Sequence, residues 1–166
     1  MNKQLETMLT SVAEKTLAEL AFVFSMPDDE AVRHVSSALV AAAVDFNGPF
    51  SGALTLAVSA NMLPAIASNM LGLEEEGRQP SPEEQRDALK ELTNVVCGNL
   101  LPRLVGTVPV FTIEAPEIVE ARQLEGTESG KPAGRTRLVL DEGRAELALF
   151  LRGEVPALVA DGGPRK

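Results

Sequence analysis

An internal repeat constrains this chain more than any other feature. A long helical pattern is followed by two strand-like runs, and then the same order returns. Leu5, Met8, Leu9, Val12, Leu17, Leu20 and Phe24 recur at helical spacing, which predicts a first helix over about Lys3 to Phe24. Met26-Pro27-Asp28-Asp29 ends it, because proline pushes its predecessor out of the helical region. Val32 to Phe46 and Gly52 to Ser59 read as strands on either side of a turn-forming cluster, Asn47-Gly48-Pro49-Phe50-Ser51-Gly52, and so predict a hairpin. In the second half, Thr136 to Leu140 and Ala145 to Arg152 alternate across Asp141-Glu142-Gly143 and predict another. Pro109 to Ile113 and Ile118 to Leu124 are further extended candidates. Two such halves can share one antiparallel sheet covered by long helices, an α+β fold. The edges of that sheet remain open to pairing, so a homodimer is expected.

Between the hairpins lie two more helices. A short one is predicted over about Asn61 to Leu71, with Pro64 tolerable only in its first turn and Gly72 placed as a left-handed cap. After an acidic linker, Ser81-Pro82-Glu83-Glu84 is a strong helix start: a capping serine, a proline at the first helical position, and acids where the helix dipole favours them. This long helix runs to about Val105. Pro102 lies within it, and its ring presses toward the carbonyl of Gly98, which predicts a kink or break over residues 98 to 102.

The long helix also carries the chain's clearest chemical pattern. At ~100° per residue, Asp87, Glu91, Asn94 and Gly98 share one side, while Ala88, Leu89, Leu92, Val95, Val96 and Leu100 take the other. A carboxylate and a carboxamide three residues apart are neighbours on a helix surface. One turn on, Gly98 offers no side chain, although glycine in a helix costs ~1 kcal/mol relative to alanine. It clears the space a partner surface would need to reach Asn94. On the chemistry alone, such a pair is also what an ordinary solvated helix face looks like.

Composition removes several functional classes. The 166 residues suffice for one domain with a real core. A net charge of −9 argues against nucleic acid as a partner, because phosphate contacts need clustered Lys and Arg. No apolar run approaches the ~20 residues of a membrane span, and the N-terminus lacks a signal-peptide layout. A single cysteine, Cys97, excludes an internal disulfide and suits a reducing cytoplasm. It reads as a half-buried helix residue rather than a reactive thiol, and the lone His34 reads as structural, so no metal site is expected. There is no phosphate-binding glycine loop and no Gly-x-Ser-x-Gly elbow.

With these elements in place, the string Lys90-Glu91-Leu92-Thr93-Asn94-Val95-Val96-Cys97-Gly98-Asn99 resembles the signature helix of the CheC, CheX and FliY phosphatases: Glu, two residues, Asn, then Gly-Asn one turn later. The flanks match too. Ala18-Glu19-Leu20-Ala21-Phe22 on the first helix, the hairpin with Gly48 and Gly52, and the helix end Asn69-Met70-Leu71-Gly72 follow in the family's order. The resemblance extends over roughly Leu5 to Arg152. It implies a single CheX-like domain over residues 1–154, and the composition of the residues after it, 155–166, reads as a loosely ordered tail. CheC-type members carry a second Glu-x-x-Asn on the first helix. Here Glu14-Lys15-Thr16-Leu17 and Glu19-Leu20-Ala21-Phe22 both lack the Asn, so the chain is most similar to single-site CheX.

The resemblance implies dephosphorylation of a CheY-like response regulator in the cytoplasm. Asn94 would position water for attack on the aspartyl phosphate, and Glu91 would also dock against a lysine of the regulator. Gly98 would supply clearance, Asp87 would extend the docking face, and Asn99 would be structural. No cofactor is expected in this chain itself, since Mg²⁺ would belong to the regulator's receiver domain. The alternative is a non-catalytic dimeric scaffold, or an effector module that binds a phosphorylated regulator without hydrolysing its phosphate.

Overall fold

The computed structural model describes residues 3–26, 38–126 and 130–153. Helix α1 spans Lys3–Ala21 and leads to the hairpin of β1, Leu39–Asn47, and β2, Ser51–Ser59. Helices α2, Leu63–Leu71, and α3, Pro82–Val105, follow. Two short strands, β3, Thr112–Ile113, and β4, Glu117–Val119, precede the second hairpin of β5, Gly134–Val139, and β6, Arg144–Arg152.

Antiparallel pairing orders the sheet β3-β1-β2-β6-β5, with β4 also on β1. The central pair is β2 against β6, one strand from each hairpin, in register from Ser51 opposite Arg152 to Val58 opposite Ala145. The two halves thus share one sheet, as the repeat predicted. Close approach at its centre dictates one glycine: a Cβ on Gly52 would lie 2.1 Å from the Phe150 carbonyl oxygen and 2.6 Å from the Phe46 ring.

Strand alternation gives the sheet two unlike faces. One presents Val44, Phe46, Leu54, Leu56, Val58, Leu147 and Leu149 to the helices. From α3, Leu89, Leu92, Val96, Leu100 and Leu104 are fully buried against this face and the other helices. Each such side chain contributes about 1.5–3 kcal/mol by leaving water. The opposite face is paved with small residues, Ala41, Ala53, Ala57 and Ala148, together with Phe150, and Leu124 packs onto them.

Several boundaries differ from the sequence reading. The first helix ends at Ala21, not Phe24. Phe22 adopts φ 54°, Val23 turns inward, and both Phe22 and Phe24 face solvent. The cause lies far away in sequence: Asn69 Nδ2 on α2 donates to the Ala21 carbonyl at 2.7 Å and closes the helix end. Of the strand predicted from Val32, the described part starts at Leu39; the residues before 38, His34 among them, lie outside the described residues, as does the predicted tail. The predicted helix over Asn61 to Leu71 divides into a 3-10 turn, Ala60–Met62, and α2, with Pro64 in the first turn and Gly72 at φ 68° as the left-handed cap.

No break occurs at Pro102, since α3 is helical from Pro82 to Val105. The proline falls in the final turn, where its missing N–H would have bonded the carbonyl of Gly98. Gly98 is exposed, so water can reach that carbonyl. Of Pro109 to Ile113, only Thr112–Ile113 pairs in the sheet. Of Ile118 to Leu124, strand pairing stops at Val119, because the chain coils into a 3-10 turn, Ala121–Leu124, that buries Leu124 against the alanine-rich face.

Candidate functional site

Helix α3 begins as the sequence dictates. Ser81 caps it, its hydroxyl accepting from the Glu84 N–H at 3.1 Å while the Glu84 carboxylate accepts from the Ser81 N–H at 3.0 Å. Arg78 clamps the same carboxylate at 2.7 and 2.9 Å. That guanidinium, followed by the Ser81 backbone bond, lowers the Glu84 carboxyl to about 2. The start of the helix is therefore fixed in position and in rotation.

Rotation decides which side chains face out. Thr93, fully buried, satisfies its hydroxyl on the Leu89 carbonyl at 2.7 Å. Cys97 is also fully buried, and desolvation pushes its thiol up to about 12, so it is an inert core residue, more deeply placed than the sequence reading had it. On the other side Asp87, Glu91 and Gly98 are exposed and Asn94 is half-buried, so the predicted stripe exists as one surface. Val95, read as part of the apolar side, is only half-buried at the border.

Among the described residues, neither Glu91 nor Asn94 has a hydrogen-bond or ion-pair partner. Asp87 does: Lys90 Nζ lies 3.7 Å from its carboxylate, with Asp87 largely in solvent and Lys90 half-buried. Asn99 leaves the stripe and donates to Thr16 Oγ1 on α1 at 3.3 Å. The structural role expected of it therefore has a visible partner. At Gly98 an added Cβ would meet only Ile113 Cδ1, at 3.9 Å, an ordinary contact. Nothing inside the chain requires glycine there. The Ile113 contact was missed from sequence, because it arises only when β3 pairs with β1 beside the helix.

Chemically, the stripe offers a carboxylate for a cation and a carboxamide that can both donate to and accept from a water. Among the described residues, no three His, Cys, Asp or Glu side chains come together to hold a metal ion, and no helix is long and apolar enough to cross a membrane. An open recess of about 970 Å³ lies on the far face of the sheet between Thr55, Glu114, Arg122 and Arg152, and no residue of the α3 stripe lines it.

The family model described as chemotaxis phosphatase CheX matches residues 40–139. No curated protein matches the chain. Among solved structures, CheX from Desulfovibrio desulfuricans is similar at 17% identity and a TM-score of 0.63, over 89% of this chain and 99% of that one. CheX from Vibrio vulnificus is similar at 18% identity and a TM-score of 0.63, over 92% and 100%. CheX in the CheX–CheY–BeF3–Mg²⁺ complex of Borrelia burgdorferi is similar at 16% identity and a TM-score of 0.58, over 89% and 97%. At these identities the solved structures establish the fold, and the family model, which matches more than half of the residues and includes all of α3, establishes the kinship. This chain belongs to the CheX family of chemotaxis phosphatases.

Proposed function

We propose that this protein accelerates loss of the aspartyl phosphate from a CheY-like receiver domain, with Asn94 and Glu91 as the working residues. One observation carries the assignment. Exposed Glu91 and half-buried Asn94 form a surface stripe on α3 whose carboxylate and carboxamide have no partner within the described residues, beside a glycine, Gly98, that the chain's own packing does not need. A polar pair with a cleared approach is what an inserted partner would use. The Borrelia burgdorferi CheX, which has the same fold, is solved in complex with CheY, and this supports a regulator of that kind.

The chemistry asks little of this chain. An aspartyl phosphate is an acyl phosphate and already activated. A water held by the Asn94 amide attacks phosphorus in line, the bond from phosphorus to the aspartyl oxygen breaks, and inorganic phosphate and a free carboxylate result. Positioning alone can supply several kcal/mol of such a barrier. Glu91 pairs with a regulator lysine and sets the approach. The Mg²⁺ that shields the phosphoryl oxygens belongs to the regulator. The site of action is the cytoplasm, in keeping with a lone buried thiol. The working form is a homodimer joined through open sheet edges, which light scattering at micromolar concentration tests against the monomer mass of 17.6 kDa.

The decisive measurement is the decay of phosphorylated receiver domains with wild type and with Asn94→Ala. Acceleration by wild type that Asn94→Ala abolishes supports the reading. Equal acceleration by both proteins overturns the assignment of Asn94, and binding without acceleration by wild type favours the effector module.

A further inference from the structure

We infer that the recess on the far face of the sheet binds a small organic cation of the aliphatic polyamine class. The inference stands apart from the reading of α3, since no residue of the stripe lines the recess. Strand register builds its floor. Glu117 of β4 stands opposite Ala43 of β1, and Ala43 opposite Thr55 of β2. One step along the same face, Ala53 stands between Asp45 and Phe150. The floor thus lies inside the sheet rather than along its edge. Its volume, about 970 Å³, suits a small molecule.

One side chain in the floor points to a ligand. Thr55 is 2% exposed, yet its hydroxyl has no hydrogen-bond partner among the described residues. Every other buried hydroxyl among those residues is bonded. Thr16 and Thr93 donate to carbonyls of their own helices, Thr136 bonds Thr10, and Ser59 accepts from the Arg144 N–H. Nor is any side-chain nitrogen or oxygen among them both sealed from solvent and unpartnered. The Thr55 hydroxyl therefore keeps an opening, and that opening is the recess it lines. A polar group placed so deep gains from any donor that enters to meet it.

Charge selects the sign of that donor. Four carboxylates line the recess, Asp45, Glu114, Glu117 and Glu125, against two guanidiniums, Arg122 and Arg152. Both guanidiniums are already paired, Arg152 with Asp45 at 3.6 Å and Arg122 with Glu120 at 2.5 Å. Glu114, Glu117 and Glu125 have no ion-pair partner among the described residues. A metal ion would need such carboxylates together, and among the described residues no three converge. Spread around an apolar floor, they fit positive charges spread along a chain. Glu117 and Thr55 stand two strands apart, about 10 Å along the row. Amines separated by methylenes bridge that span, with the methylenes on Ala43, Ala53 and the Phe150 ring and one N–H on the Thr55 hydroxyl.

The test is calorimetric titration of the full chain with spermidine, with urea midpoints showing that each variant is folded. Wild type should bind one molecule per chain. Thr55→Val keeps the shape of the side chain and suits a strand. It should raise Kd about tenfold, the loss of one hydrogen bond to a charged group. Thr55→Ser, which keeps the hydroxyl, should bind as wild type does. Glu114→Gln/Glu117→Gln should raise Kd by about tenfold or more. Glu74→Gln/Glu75→Gln removes the same charge from the exposed linker and should leave Kd unchanged. Equal weakening by the two double variants would mean diffuse attraction to an acidic chain, and overturns the inference. No binding by wild type, or an unchanged Kd in Thr55→Val, overturns it as well. A fall in oligomeric mass in Thr55→Val or Glu114→Gln/Glu117→Gln by light scattering would mean that a second copy covers the recess, which also overturns it.

Discussion

Asn99 Nδ2 donates to Thr16 Oγ1 across the α1–α3 interface at 3.3 Å, whereas the side chain of Asn94, on the same helix, has no hydrogen-bond partner among the described residues. The two asparagines therefore separate stability from activity. Asn99→Ala should lower unfolding free energy by about 1 kcal/mol or a little less, since the bond is long and partly solvated. Its activity per folded molecule should be retained. Asn94→Ala should leave stability within ~0.5 kcal/mol and remove the stimulated reaction. Urea unfolding and regulator decay, measured on the same preparations, check both.

Gly98→Ala gives the sharpest contrast between fold and function. The added methyl meets only Ile113 Cδ1 at 3.9 Å, so the chain has room for it. Alanine should stabilise α3 by up to ~1 kcal/mol through helix propensity. The same methyl stands on the stripe beside Asn94 and should hold a partner back, lowering kcat/KM by tenfold or more. A variant as active as wild type would show that clearance at this position is irrelevant.

Glu91 should act through charge. Its carboxylate is exposed and unpaired among the described residues, so it is available to a lysine of the regulator. Breaking such a pair once it is desolvated costs a few kcal/mol of binding. Glu91→Gln should weaken the complex, Glu91→Lys should weaken it further by placing like charges together, and salt should weaken the wild-type complex in the same sense. Titration calorimetry with the mimic-loaded receiver domain reads all three. Tight binding by Glu91→Lys would move the docking surface off this face.

The legible parts of the molecule were those written locally. Ser81, Pro82 and Glu84 announced the start of α3 within a few residues, and the hydrophobic period then fixed which face carried Glu91 and Asn94. The turn clusters set both hairpins. What stayed hidden depended on distant partners. Ala21 ends α1 because Asn69 reaches its carbonyl, and Phe22 then takes a left-handed conformation that bulky residues seldom adopt. Ala121–Leu124 coils instead of extending because an alanine-rich sheet face exists for Leu124 to cover. On the candidate stripe, the shared face of Glu91, Asn94 and Gly98 was readable from spacing, but the neighbouring Ile113 entered only through strand pairing.

Cys97 offers a direct test of helix rotation. It is fully buried, and desolvation pushes its thiol up to about 12. The thiolate is the reactive form, so the native protein should be almost inert to iodoacetamide at neutral pH and should react at the rate of a free thiol once unfolded. Fast labelling of native protein would mean that α3 is turned from the orientation that exposes Asn94.

The last prediction concerns acid. Glu146, 3% exposed, sits on β6 opposite Arg137 of β5. Arg135 donates to its Oε1 at 2.8 Å and Arg144 to its Oε2 at 3.0 Å, while Arg137 lies 3.6 Å away. Burial pushes the carboxyl up, but the hydrogen bonds from Arg135 and Arg144 and the charge of Arg137 outweigh it, and the net shift is downward. A carboxyl whose folded value lies below its unfolded value, near 4.5, stabilises the fold above that pH. The stabilisation is lost as pH falls through the depressed folded value. Glu146→Gln should therefore cost roughly 2 kcal/mol at neutral pH, less than a fully buried pair would, because the arginines keep contact with water. As pH falls through the depressed folded value the gap between variant and wild type should narrow, since both then lack the charge. Urea midpoints followed from about pH 7 to about pH 3 measure that convergence. Parallel curves with a constant gap would show that packing, and not the ionised carboxylate, is what Glu146 contributes.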